Sequence, residues 1–147
     1  MAARRDSAGA DSRQIAELAA KLAHDVGKYL TRVARNLVLP LREPLPAPLL
    51  AMLVSDLYGP AHDPSRRPHA VFWQHRRCFP PDFVDPRLDR CAETFRALDA
   101  LQAPVTDGQP TAIAEAARLA LLLDADLRDL ARDQQASTRR SPARGRR

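Results

Sequence analysis

His24 and Asp25 are adjacent in a stretch that reads as helix: Leu22-Ala23-His24-Asp25-Val26-Gly27-Lys28-Tyr29-Leu30-Thr31-Arg32-Val33. At about 100° per residue, Ile15, Leu18, Leu22, Val26, Tyr29, Val33 and Leu37 fall in one apolar stripe, and His24 lies about 180° from its centre. Packing rarely calls for a His-Asp pair at such a place, so the pair invites a chemical reading. A neutral imidazole nitrogen can attack a phosphoryl group, and that transfer depends mainly on positioning and charge stabilisation. Lys28, one turn after His24, could steady phosphoryl oxygens. Arg13, Glu17, Lys21, Lys28, Thr31 and Arg35 share the His24 face. Across residues 12–37 the basic side chains Arg13, Lys21, Lys28, Arg32 and Arg35 stand against only Glu17 and Asp25, a complement to an acidic protein surface. Ala20 and Gly27, one turn to either side of His24, leave the imidazole accessible. Gly27 costs about 1 kcal/mol of helix propensity relative to Ala. That cost implies close approach, either by a docking partner or by another helix of the same molecule. An ordinary solvated ion pair is the plain alternative for His24-Asp25.

Two families carry similar strings. The stretch resembles the H-box of histidine kinase dimerisation and phosphotransfer domains: His, acid, aliphatic, two polar positions, Pro, Leu, Thr, one variable position, aliphatic. His24, Asp25, Val26, Leu30, Thr31 and Val33 match it, and Tyr29 stands where the family has Pro. The resemblance covers about ten residues. It implies that His24 is a phosphoacceptor, Asp25 its helper, and a receiver-like domain the acidic partner. Lys21, Gly27, Lys28, Thr31, Arg32 and Arg35 would then form the docking face. Histidine-containing phosphotransfer domains are helical bundles of similar size, with Lys and Gly in the opposite order after their histidine. The sequence has no Gly-rich ATP-binding region, so the resemblance implies an intermediate rather than a kinase. Leu22-Ala23-His24-Asp25-Val26-Gly27-Lys28 also resembles the central motif of HD-domain phosphohydrolases, which bind metal through an upstream His, the His-Asp doublet and a downstream Asp. No histidine precedes His24. A degenerate HD relative is therefore the expectation on that side, with no metal ligands assigned.

Weaker constellations lie further on. His62, His69, His75 and Cys78 fall within 17 residues of one another, with Cys91 beyond, but only His75-Arg-Arg-Cys78 has the close spacing of zinc ligands. Trp73-Gln-His75-Arg76-Arg77 mixes aromatic and basic groups and could stack a nucleotide. Turn and surface roles are the plainer reading of these residues. No Ser-His-Asp arrangement and no phosphate loop can be identified, and no cofactor is implied.

These residues need a scaffold, and the composition limits it. The 147 residues suffice for one domain with a single core. Hydrophobic residues make up 45% and charged ones 28%, as in a soluble globular protein. Aromatics are only 5%, so the core should be aliphatic and helical. No apolar run approaches the roughly 18 residues of a membrane span. The first residues lack a signal-peptide apolar region, and two cysteines are too few for a disulfide scaffold. A cytoplasmic protein is the expectation. The net charge of +5 belongs to Arg139, Arg140, Arg144, Arg146 and Arg147; without them the chain has 18 basic and 18 acidic residues. Such a tail could touch nucleic acid or an anionic surface weakly.

The periodicity predicts four helices. The first begins near Arg13, capped by Ser12 or Asp11, and stops near Leu39 because Pro40 follows. Pro40, Pro44, Pro46 and Pro48 predict an extended connection. The second runs from about Pro48 to Tyr58 on Leu49, Leu50, Leu53 and Leu57, ended by Gly59-Pro60. Residues 59–85, with five prolines and much of the aromatic content, read as an irregular segment packed over the core or as a partner surface. Asp85-Pro86 reads as N-cap and first position of a third helix to about Gln102, with Leu88, Cys91, Ala92, Phe95 and Leu98 inward. Pro104 to Pro110 is a turn. The fourth helix runs from about Pro110 to Gln134 on Ile113, Ala116, Ala117, Ala120, Leu123 and Leu127. Leu119, Leu121 and Leu122 extend its apolar surface, so it is either central or paired in a homo-oligomer.

The resulting expectation is an all-α, antiparallel four-helix bundle-like domain over 12–136. Residues 1–11 and 137–147 would be disordered, the latter as a basic tail. Three functions compete for it: a partner-binding module using the His24 face, a non-enzymatic adaptor assembled through the fourth helix, and a degenerate HD-type metal phosphohydrolase.

Overall fold

The computed structural model describes residues 2–37 and 43–145, with side chains described for 12–37 and 43–139. The fold is all-α, and no strand occurs among the described residues. Six α-helices follow one another: α1 Ala2–Asn36, α2 Ala47–Tyr58, α3 Pro68–Arg76, α4 Pro86–Ala100, α5 Gln102–Thr106 and α6 Pro110–Gly145. A 3-10 turn, Pro64–Arg66, precedes α3.

The two long helices form the main contact of the molecule. They run antiparallel: Thr138 lies against the Ser12 carbonyl, Gln135 against that of Ala16, and Asp124 against Gly27. Small residues on both helices, Ala16 and Ala19 on α1 and Ala116, Ala117 and Ala120 on α6, are buried and permit close packing. Helices α2 and α3 pack on α1, and α4 packs on α6. The core is contiguous and mostly aliphatic, with Phe72 and Phe95 at its aromatic centre, their rings 5.2 Å apart.

Much of the expected pattern is present. Leu22, Val26, Val33 and Leu37 are buried on α1, but Leu30, Ala16 and Ala19 take the central positions expected for Tyr29, Ile15 and Leu18. All five expected inward residues of α4 are buried. Asp85 caps α4 by accepting from the Arg87 amide at 2.9 Å, with Pro86 in the first turn. Its carboxylate also takes two bonds from the Arg87 side chain, which reaches on to Asp133 of α6. The Arg87 hydrogen bonds hold the Asp85 carboxyl below its usual range against the opposing effect of burial. Gly59 ends α2 at φ +76°; a Cβ there would lie 2.8 Å from the Arg67 backbone nitrogen, so both conformation and space require glycine.

Four expectations are corrected. The helix count is six, because residues 59–85 are not irregular: they contain the 3-10 turn and α3, which bury Phe72 completely. Pro64 and Pro68 begin these elements, where a missing N–H costs nothing. The expected turn from Pro104 contains most of α5. Leu119 is buried in the core and offers nothing to a second subunit, whereas Leu121 and Leu122 are 51% and 46% exposed. Finally, α1 begins before Ser12, and α6 continues beyond Gln134 to Gly145. The expected stop at Leu39 and the start of the proline connection lie outside the described residues. Arg146 and Arg147, and the side chains of Arg140 and Arg144, do so too.

The two cysteines are free, Cys78 exposed and Cys91 buried, and burial pushes the Cys91 thiol up to about 12. A disulfide-exchange dye should therefore titrate one thiol in the folded protein, Cys78, and two after denaturation. Rapid reaction of Cys91 under native conditions would contradict this packing.

Candidate functional site: a basic groove beside His24

Helix α1 presents His24 to solvent, with its side chain 78% exposed. Its Nδ1 lies 3.0 Å from Asp25 Oδ1. An ionised carboxylate only accepts, so Nδ1 carries the proton, and in the neutral ring Nε2 carries the lone pair. Asp25 has a second partner, which the sequence reading placed among turn and surface histidines. His75 Nε2 lies 2.8 Å from Asp25 Oδ2, while His75 Nδ1 lies 2.9 Å from the Val71 carbonyl. Both ring nitrogens of His75 thus face acceptors, and both bonds exist together only when the ring carries two protons. His75 is only 16% exposed on its side chain. Burial acts to raise the Asp25 carboxyl. The hydrogen bonds and charges of His24 and His75 outweigh that effect and hold it below its ordinary value of 3.8.

Next to His24 the surfaces of α1 and α6 enclose a groove of about 490 Å³. His24, Lys28, Arg32 and Arg35 line it from α1, and Arg128 and Asp124 from α6. Thr31 also lines it, donating to the Gly27 carbonyl at 2.7 Å and lying 3.5 Å from Arg128 Nη2. The cations are unequally committed. Arg128 pairs with Asp124 at 3.1 Å, and Arg32 lies 3.7 Å from Asp56 of α2. Burial pushes the Asp56 carboxyl up, and Arg32 partly offsets that. Lys28 and Arg32 both approach the face of Tyr29, at 5.1 and 5.4 Å from its centroid. Lys28 and Arg35 have no carboxylate partner among the described residues.

Of the residues singled out from sequence, the structure brings His24, Gly27, Lys28, Thr31, Arg32 and Arg35 together in one groove and adds Asp25 beneath His24. Lys21 is exposed on the same helix but does not line the groove. Of the two alternatives for the close approach at Gly27, the structure shows the intramolecular one: the residue is buried, and a Cβ there would meet Asp124 Oδ1 at 3.2 Å. What approaches Gly27 closely is α6 of the same molecule. His75, Asp124 and Arg128 were missed. The Asp124–Arg128 pair at i,i+4 was the available signal for two of them; His75 gave none while its segment read as loop.

The remaining histidines have other settings. His62 is exposed. His69 donates from Nδ1 to Asp99 Oδ2 at 2.6 Å and accepts from Trp73 Nε1 at 2.9 Å, so a neutral ring satisfies both bonds. Trp73, a candidate stacking platform, also meets Phe72 edge to face. Among the described residues no three His, Cys, Asp or Glu side chains gather into a metal-holding group. No helix among them is long and apolar enough to cross a membrane. No known protein family, characterised protein or solved structure matches the chain.

The bonds to Asp25 predict a pH signature. A lowered carboxyl contributes stability above its unfolded value, and that contribution is lost as pH falls through its folded value. Asp25→Asn should cost about 1 kcal/mol near neutral pH, discounted for its partial exposure. The difference from wild type should shrink as pH falls below the ordinary carboxylate range. Equal stability near neutral pH, or a gap that persists at low pH, would contradict the assignment.

Proposed function

We propose that this protein is a helical partner-binding module whose α1–α6 groove receives an acidic or phosphorylated partner surface, with His24 as a phosphoacceptor. The observation that carries the reading is the His24 Nδ1–Asp25 Oδ1 bond, which leaves Nε2 free beside Lys28, Arg32, Arg35 and Arg128. In such a transfer the Nε2 lone pair attacks phosphorus and forms an N–P bond. The bond from phosphorus to the donor breaks, P–O in an acyl phosphate or P–N in phosphoramidate, and the donor atom leaves with the electron pair. The ring, still protonated at Nδ1, becomes cationic, and Asp25 stabilises it or takes that proton. Lys28 and Arg35, free of carboxylate partners among the described residues, offset the arriving phosphoryl charge. A receiver-like acidic domain is the partner chemistry this face complements. The free thiols of Cys78 and Cys91 fit a cytoplasmic setting. Arg139, Arg140, Arg144, Arg146 and Arg147 would add a weak contact to nucleic acid or an anionic surface.

A second reading, a non-enzymatic adaptor that dimerises through α6, is favoured by the exposure of Leu121 and Leu122. Light scattering decides it: a mass that doubles with concentration and reverts in Leu121→Lys/Leu122→Lys supports it, and a monomer throughout removes it.

The phosphoacceptor reading is tested with phosphoramidate and acetyl phosphate as small donors. Acid-labile, base-stable phosphate should appear on the wild type and be lost in His24→Ala. Lys28→Ala should slow labelling about tenfold, the effect of one charge-assisted contact. Absence of such label, or equal label in His24→Ala, would overturn it.

A further inference from the structure

Asp25 is held from both sides, and the two holds differ in kind. His24 is its neighbour on the same helix and stands in solvent. His75 comes from α3, and its side chain is mostly buried. Phe72 fixes α3 on the core, and Phe79 does so just past its end; both are buried. Between these anchors the His75 ring meets the Val71 carbonyl through Nδ1 at 2.9 Å, which aims Nε2 at Asp25 Oδ2, 2.8 Å away.

An ionised carboxylate only accepts, so His75 Nε2 carries a proton whether the ring is neutral or cationic. His75 therefore holds Asp25 in both of its charge states. The hold selects one of the staggered wells open to the Asp25 side chain. In that well the other oxygen, Oδ1, lies 3.0 Å from His24 Nδ1. His75 itself does not line the groove, so it reaches the reacting nitrogen only through Asp25.

We propose, resting on the phosphoacceptor reading above, that His75 is a positioning residue which, by holding Asp25, decides which nitrogen of His24 takes the phosphoryl group. With Asp25 in place, Nδ1 keeps its proton and the Nε2 lone pair forms the N–P bond. The bond from phosphorus to the donor breaks, and its electron pair leaves on the donor atom. With Asp25 released into its other wells, the exposed His24 ring loses the acceptor that sets its tautomer. Either nitrogen then presents a lone pair to phosphorus.

Two substitutions separate the contacts of His75. The amide nitrogen of Gln stands as many bonds from Cα as His Nε2, so His75→Gln keeps a donor for Asp25. The amide nitrogen of Asn corresponds to Nδ1, so His75→Asn keeps the Val71 contact and loses the one to Asp25. The full chain is labelled with phosphoramidate and followed by nitrogen–proton and phosphorus–nitrogen correlation spectra. Wild type and His75→Gln should show the Nδ1–H tautomer of His24 before labelling and phosphate on its Nε2 alone afterwards. His75→Asn should show mixed tautomers and both Nδ1 and Nε2 products. Its Nε2 product should form about threefold more slowly, because Asp25 is spread over the staggered wells. Circular dichroism and Tm report whether the fold is intact. His75→Ala, a good helix former, should match His75→Asn and decides the matter if that variant does not fold. A wild-type tautomer and product in His75→Asn, or a His75→Gln protein that behaves like His75→Asn, would overturn the proposal. Absence of label on the wild type overturns the phosphoacceptor reading, and the tautomer comparison then still decides whether His75 positions His24.

Discussion

The close antiparallel contact of α1 with α6 is the constraint on which the other features rest. It requires small side chains where the helices approach, and the chain supplies Ala16, Ala19 and Gly27 on one helix and a run of alanines on the other. Gly27 carries a helix-propensity cost of about 1 kcal/mol, and what it admits is the carboxylate of Asp124. Asp124 holds Arg128, which reaches across to Thr31. The groove beside His24 therefore has cations on both walls because the two helices are close. A bulky residue at position 27 would separate the walls, displace Asp124, or both.

Helix α3 couples the middle of the chain to this contact. Phe72 anchors it in the core, fully buried against Phe95. From that fixed base His75 reaches Asp25, and His69 and Arg67 meet Asp99. One nine-residue helix thus supports two separate polar assemblies. In the first, Asp25 lies between an exposed imidazole and a mostly buried one. Burial alone would favour its neutral form, and the two imidazole contacts reverse that outcome. In the second, a neutral histidine and a carboxylate orient an arginine at the edge of an apolar cavity.

What could be read from sequence follows local rules. The α4 core residues, the Asp85-Pro86 start and the Gly59 stop each depend on periodicity or on a single residue's backbone chemistry. The outward position of His24 follows from the same wheel. What was hidden depends on tertiary placement. Five prolines made residues 59–85 look irregular, although Pro64 and Pro68 begin helical turns where proline is tolerated. With α3 unseen, His75 had no predictable direction and its partnership with Asp25 could not be inferred. Leu119, Leu121 and Leu122 look alike in sequence, and only the packing of α6 puts the first inside and the others outside.

The chemistry of the His24 groove depends on the tautomer that Asp25 imposes on His24. Side chains of free histidine favour the proton on Nε2, so the structure makes a distinctive statement. Two-bond nitrogen–proton correlation spectra of the imidazoles, recorded at a pH where His24 is neutral, test it most directly. His24 should be the Nδ1–H tautomer with an unprotonated Nε2, reverting to the solution pattern in Asp25→Asn. An Nε2–H tautomer in the wild type would contradict it.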